Sequence, residues 1–435
     1  MSLLPKSLAR GAAGNLAAKA ALVVLGLGIT FTVARIGPQV QGAFALFVAC
    51  ESVLLTLFSG FGLALAREVS HRKSDAAGAL TAALLASLAV GVVAAGGVAL
   101  LSQAMPREPY RHLWLLAGAT PFLLMVPTAT GLWMGQGRML PLNLAQVAAP
   151  AAVLALLAAW VGAHGLSGAV VLAVLAAWVI GKSLVGLGTA AWAFHDAGRA
   201  PPAWELLGRD ARFVVVIGLT NVVSLLNYRV TLFVIEHYGG LAPAGIYSVA
   251  VQVGELLWLL SSAVTVSVYH RIGDPDRQVA AAMTVRAVRI NVLSTLAAAP
   301  LLWLLAWVAL PQLLGPAYHE ARWPLACLLP GLAAYAAASS LSAFYTNHLG
   351  RPQTSAMVAG LSLLLNLAGS LWAVPRYGAV GAALSTSLSY ILAICVAAAI
   401  FLKQAGWPVS AFWRLPARGN TADNPPPMPN ERTSA

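Results

Sequence analysis

Charged side chains make up only 9% of this 435-residue sequence, and apolar ones make up 59%. A water-soluble domain of that size cannot cover its surface with so little charge, so a soluble enzyme or soluble binding module is excluded. Cysteine is nearly absent. Cys50, Cys327 and Cys395 all fall inside apolar segments, and no Cys/His spacing of a metal site occurs, which argues against disulfides, structural zinc and a bound cofactor. Long polar loops are missing on one side of the chain, where the longest connection is SQAMPREPYR, residues 102–111. Such a loop is too short to form a catalytic domain. His164, His270 and His348 are separated in sequence and in expected depth, leaving no cluster for membrane-embedded chemistry. The formal net charge of +12 comes from basic residues scattered singly between apolar runs, not gathered on one face, so no nucleic-acid partner is expected.

What the sequence does contain is twelve apolar runs long enough to cross a bilayer, the first near residues 12–34 and the last near 378–402. Lys6 and Arg10 precede the first run, which lacks a small-residue cleavage site and therefore reads as a spanning helix rather than a signal peptide. With both termini cytoplasmic, nineteen Lys and Arg residues fall at the termini and inner loops, against five outside: Arg35, Arg107, Arg111, Arg322 and Arg376. The positive-inside rule fixes that orientation.

The fold class expected is an all-α integral membrane protein of about twelve helices in two pseudo-symmetric six-helix bundles around a central cleft. The first bundle spans residues 1–194 and the second 213–402. A cytoplasmic linker, 195–212, is broken at Pro201-Pro202, and the tail 403–435 is rich in proline and polar residues and expected to be disordered. An internal repeat supports the two halves. GAFALFVACE, Gly42 to Glu51, matches GIYSVAVQVGE, Gly245 to Glu255, and Arg67 and Arg271 follow at nearly equal offsets. In transporters such repeats form bundles that rock about a site near the bilayer midplane.

Several motifs carry a family resemblance. ARIGPQVQGAFALFV (34–48), FGLALARE (61–68), NYRVTLFVIEHYGGLAPAGIYSVA (227–250), LLGPAYHEARWPLACLLPG (313–331) and VPRYGAVGAALSTSLSY (374–390) occur in this order along nearly the whole apolar chain. Together they resemble the polysaccharide-biosynthesis flippases of the multidrug, oligosaccharidyl-lipid and polysaccharide exporter superfamily. Twelve helices fit that branch better than the fourteen usual for the superfamily's peptidoglycan-precursor flippases. The resemblance implies a bacterial inner-membrane flippase for undecaprenyl-diphosphate-linked oligosaccharides, serving O-antigen, capsule or exopolysaccharide synthesis. It further implies a non-enzymatic protein that contacts membrane lipid, has a proton or sodium as coupling ion and has a polysaccharide polymerase as partner. Thr231 stands where the family often has an acid two residues after its arginine, which puts an ion site there in doubt.

Moving a diphosphate through a bilayer requires buried cations or helix N-termini, and ionisable residues inside spans are the places to look. In this superfamily helices 1, 2, 7 and 8 are expected to line the cleft, and they carry Lys19, Glu51, Arg229 and Glu255 respectively. Arg229 is the leading candidate for the diphosphate. Its alternative is to snorkel outward towards Glu236, on its own face and about 10 Å along the helix. Thr220, Ser224, Asn227 and Thr231 form a polar stripe on nearly the opposite face. Lys182, near the middle of the sixth helix, is a second diphosphate candidate or one half of a buried ion pair. Lys19 is a third, with anchoring at the inner surface as its alternative. Glu51, Glu255, Gln252 and Asn227 are expected to line the cleft, the two acids as proton carriers or as neutralising partners of Lys19, Lys182 or Arg229. Two other functions compete. A multidrug or cation antiporter should have an acid-dominated cleft, and a glycan polymerase or acyltransferase should have a large outer loop or a His/Arg cluster.

Overall fold

A computed structural model describes residues 6–72, 75–166 and 170–413. Among these, eleven helical stretches are long and apolar enough to cross a membrane. The last, Pro352–Ala405, holds 54 residues. At 1.5 Å per residue it would reach about 80 Å if straight, far beyond a hydrocarbon core of about 30 Å. It is not straight. Gly378 takes φ 57° and ψ −136°, a backbone that L side chains avoid. Beyond it the chain doubles back, so that the Thr386 hydroxyl donates to the Asn366 side-chain oxygen at 3.2 Å. The stretch is therefore two antiparallel helices, which makes twelve helices of membrane-crossing length among the described residues.

In chain order these helices are α1 (Lys6–Ile36), α2 (Pro38–Ser70), α3 (Ala76–Ala104), α4 (Tyr110–Gly135), α5 (Met139–His164) and α6 (Val171–Ala197). The second set comprises α7 (Trp204–Gly239), α8 (Leu241–Ile272), α9 (Arg277–Leu314) and α10 (Pro316–His348). It closes with α11 (352–377) and α12 (379–405). This is the all-α membrane architecture expected, with two six-helix sets. The connection between them is shorter than the 195–212 expected, because α6 runs through Ala197 and α7 starts at Trp204. Ala203 docks that connection by donating its N–H to the Gly78 carbonyl at 3.1 Å. At the C-terminal end, structure continues past residue 403. Trp407 donates to Gln278 at 2.8 Å, and the Arg289 guanidinium holds the Ala411 carbonyl at 2.8 Å. The rest of the expected tail, from residue 414, lies outside the described residues.

Four helices are broken near their middles, in matching pairs. The breaks fall at Phe58–Ser59 in α2 and Leu256–Leu257 in α8, and at Leu124 in α4 and Ala336–Ala337 in α10. In α4 the cause is Pro127, which has no N–H to offer the Leu123 carbonyl and resumes the helix from its first turn. In α2 and α8, bonds from Ser59 to Thr56 and from Leu257 to Gly254 tighten the turn and re-aim the second half of each helix.

The two sets meet where α2 crosses α8 at Gly42 and Gly245, the positions aligned by the repeat. Interhelical burial around this crossing joins Ala45 and Leu46 to Ile246, Tyr247 and Val249 in one apolar cluster. Lipid tails are as apolar as the helix surfaces, so no hydrophobic drive brings helices together within a bilayer, and such close backbone approach supplies the packing instead.

Candidate functional site

Glu51 of α2 is only 1% exposed, which for a lone carboxylate would cost several kcal/mol. Two groups on α6 offset that cost. Lys182 forms an ion pair with one carboxylate oxygen, and the Trp178 indole N–H donates to the other at 2.6 Å. Trp178 and Lys182 are four residues apart and therefore share a helix face. The ammonium also lies 4.6 Å from the indole ring centroid. Of the three cations that could have met Glu51, the fold brings Lys182.

Lys182 also faces open space. Its side chain is 20% exposed. It lines a cavity of about 540 Å³ formed by α1, α2, α4, α5, α6 and the inner part of α7. Leu22, Leu55, Leu63 and Val126 supply apolar wall, while Ser59, Thr130, Gln146 and Asn221 supply polar atoms. Among the described residues, Lys182 is the one basic or acidic group on the lining. An ammonium has three donors, so a pair with Glu51 leaves capacity for an anion in the cavity.

Arg229 does not take the outward route along its own helix. Its guanidinium reaches Glu255 of α8 at 3.6 Å, with 29% and 22% of the two side chains exposed. Glu236 instead accepts the Tyr110 hydroxyl at 2.9 Å, tying α7 to α4. Snorkelling towards Glu236 is therefore replaced by a pair between neighbouring helices.

Of the opposite stripe of α7, Asn227 and Thr231 are packed against α11 and α12, while Thr220 is exposed. Thr231 donates to Asn366 at 3.2 Å, and Asn366 donates to the Asn227 backbone carbonyl at 3.3 Å. Asn227 is fully buried, so the expectation that its side chain lines the cleft is corrected. The reason is rotational: two residues on a helix are about 200° apart, so Asn227 and Arg229 cannot face the same space.

Gln252 accepts the Thr30 hydroxyl at 2.5 Å, and Gln41 donates to Ser248 at 3.0 Å, which places both amides in the seam between the two sets. Lys19 is exposed on α1 and has no ion-pair partner among the described residues. The carboxylates matched by the repeat thus end in different settings, one buried and doubly bonded, the other at the break of α8 and partly exposed.

A second cavity escaped the sequence reading. It measures about 370 Å³ and lies between α7, α8, α10, α11 and α12. Ser224, Ser261, Ser262, Ser339, Ser342 and Ser355 line it, together with Tyr228, Trp258, Tyr335 and Tyr345. Among the described residues no charged side chain does. Its hydroxyls fall in SSAVTVS (261–267) and ASSLSAFYTN (338–347), runs inside spans that carry no charged residue to mark them.

No family model matches the chain, and no curated protein matches it in sequence. Solved structures do match in fold. One is the inward-facing conformation of a multidrug resistance MATE family transporter of the MOP superfamily, at TM-score 0.73 and 16% identity, covering 91% of this chain and 96% of that one. Another is the lipid II flippase MurJ in an inward closed conformation, at TM-score 0.71 and 15% identity, covering 93% and 89%. An outward-facing MATE transporter matches at TM-score 0.61 and 17% identity, covering 92% and 97%. At these identities the likeness shows the fold alone, one that this chain shares with those MATE and MurJ structures.

Proposed function

We propose that this chain is a flippase for undecaprenyl-diphosphate-linked oligosaccharides in the bacterial inner membrane, serving O-antigen, capsule or exopolysaccharide assembly. The observation that carries the reading is Lys182: a cation held in place by Glu51 and Trp178, yet open to a cavity otherwise apolar and neutral-polar. A diphosphate arriving there finds a positioned ammonium in a low-dielectric wall, where a charge-assisted bond is stronger than in water. The prenyl chain stays in the bilayer. No bond is made or broken, so the protein acts as a path and not as an enzyme. The leading role in meeting the diphosphate passes from Arg229 to Lys182, with the Arg229–Glu255 pair as a second polar contact between helices of one set.

Exchange of partners gives a route to coupling. When a diphosphate draws the ammonium away, Glu51 keeps the Trp178 indole N–H as its remaining partner, so anion binding changes the setting of the buried carboxylate. Glu51 is the proposed coupling site, with a proton or sodium as the coupling ion.

Multidrug export is the second reading, supported by the MATE transporter's fold likeness and by the buried carboxylate. The pairing of that acid with Lys182 argues against an acid-dominated cleft. Deleting the gene in its host tests the choice. The expected result is loss of a surface glycan while its lipid-linked units still assemble on the inner leaflet. Normal glycan export, with heightened sensitivity to drugs, would overturn the proposal in favour of the second reading. Export of single units without long chains would instead point to a polymerase.

A further inference from the structure

The two cavities occupy equivalent places in the two helix sets. The first is lined by α1, α2, α4, α5 and α6, and the second by α7, α8, α10, α11 and α12. Along α4 and α10 the correspondence holds at four positions of each helix. Leu123, Val126, Pro127 and Thr130 line the first cavity, and Tyr335, Ala338, Ser339 and Ser342 line the second, each 212 positions later. Both cavities sit beside the helix breaks, which open the space. All of this lies in the half of the bilayer that the Lys and Arg distribution assigns to the cytoplasm. The cavities adjoin one helix in common, α7, where Asn221 lines the first and Ser224, one turn on, lines the second.

Equivalent places carry different chemistry. Lys182 gives the first cavity its charge. The second has six serine hydroxyls and four aromatic rings, with Tyr335 centred 5.9 Å from Tyr228 and 5.7 Å from Trp258. At its edge the Trp258 indole N–H is buried and finds no acceptor among the described residues. Neutral donors and acceptors set beside aromatic faces suit a ligand with hydroxyl groups and apolar C–H faces. They offer nothing to neutralise a phosphate. The volume falls within the range of about 300–1,000 Å³ usual for small-molecule sites.

We propose that the second-set cavity binds the neutral sugar residues of the transported lipid, while its equivalent in the first set takes the diphosphate. The proposal rests on the flippase reading. It adds a division of labour: one half of the repeat recognises charge and the other recognises sugar.

Site-directed cysteines in the full-length chain test it, in lipid nanodiscs and with Cys50, Cys327 and Cys395 replaced by Ser. Ser339→Cys and Ser262→Cys report on the second cavity and Ser59→Cys on the first, read as labelling rates with a small water-soluble thiol reagent. Two probes are used: the oligosaccharide released by mild acid from the host's lipid-linked pool, and inorganic diphosphate. The oligosaccharide is expected to slow labelling at 339 and 262 by a factor of 1 + [L]/Kd, roughly threefold at twice the dissociation constant, with residue 59 unaffected. Diphosphate is expected to do the reverse. Equal protection of 339 by diphosphate would overturn the division. So would failure of the water-soluble reagent to reach either 339 or 262. Failure of the oligosaccharide to protect either position, in variants that still export glycan in the host, would refute the sugar site alone. Normal glycan export by a host lacking the gene would instead refute the flippase reading beneath it.

Discussion

Gly42 and Gly245 face each other reciprocally. A Cβ on Gly42 would stand 1.9 Å from the Leu241 carbonyl oxygen, and one on Gly245 would stand 2.0 Å from that of Pro38. Each glycine therefore lies against the carbonyl four residues before the other, the contact expected at a two-fold axis relating equivalent helices. The crossing joins the helix sets at the same ends of α2 and α8. A side chain there forces the helices apart.

Gly42→Val should accordingly destabilise the protein by at least about 1–3 kcal/mol, the usual cost of overpacking. Gly162→Ala is the control, since a Cβ at Gly162 meets nothing within 4 Å. Thermal unfolding in detergent checks both. A Gly42→Val protein as stable as the parent would mean that the crossing is not a fixed contact.

Lys182→Ala strands Glu51 in the interior, and breaking a buried pair in this way typically costs about 3–5 kcal/mol. The double variant Lys182→Gln with Glu51→Gln removes both charges and should restore protein level and thermal stability. It should not restore glycan export. Parental export by the double variant would show the pair to be structural only.

Arg229 and Glu255 are partly exposed at 3.6 Å, so their mutual contribution should be about 0–1 kcal/mol, measurable by a double-mutant cycle with Ala at each position. Arg229→Lys should retain most export and Arg229→Ala only part, at matched protein level. Should Arg229→Ala abolish export while the neutral Lys182/Glu51 double variant transports normally, the diphosphate site moves to Arg229.

Reporter fusions after Pro201 and Asn420 should both read cytoplasmic. A periplasmic signal at either position would break the twelve-crossing topology, and the hairpin at Gly378 would be the first place to revisit.

Hydropathy, charge asymmetry and the Gly42/Gly245 repeat by themselves determined that this is an all-α membrane protein of twelve crossings in two related halves. These properties are local: a span reveals itself by its own length and composition, and a repeat by its own spacing. The ionisable residues worth pursuing were legible for the same reason, because charge inside a span is rare. Their partners were not. Glu51 was open to Lys19, Lys182 or Arg229 until the packing of α2 on α6 brought Lys182 and Trp178 to it. Arg229 shares a face of α7 with Glu236, yet Tyr110 takes Glu236 and Arg229 turns to Glu255. The serine-lined cavity depends on breaks in α8 and α10 that re-aim half a helix each, and helices from distant parts of the chain close around it. Only tertiary packing decides such matters, because the relative rotation and tilt of helices are set by contacts summed over many residues, none of which is recorded in the periodicity of one segment.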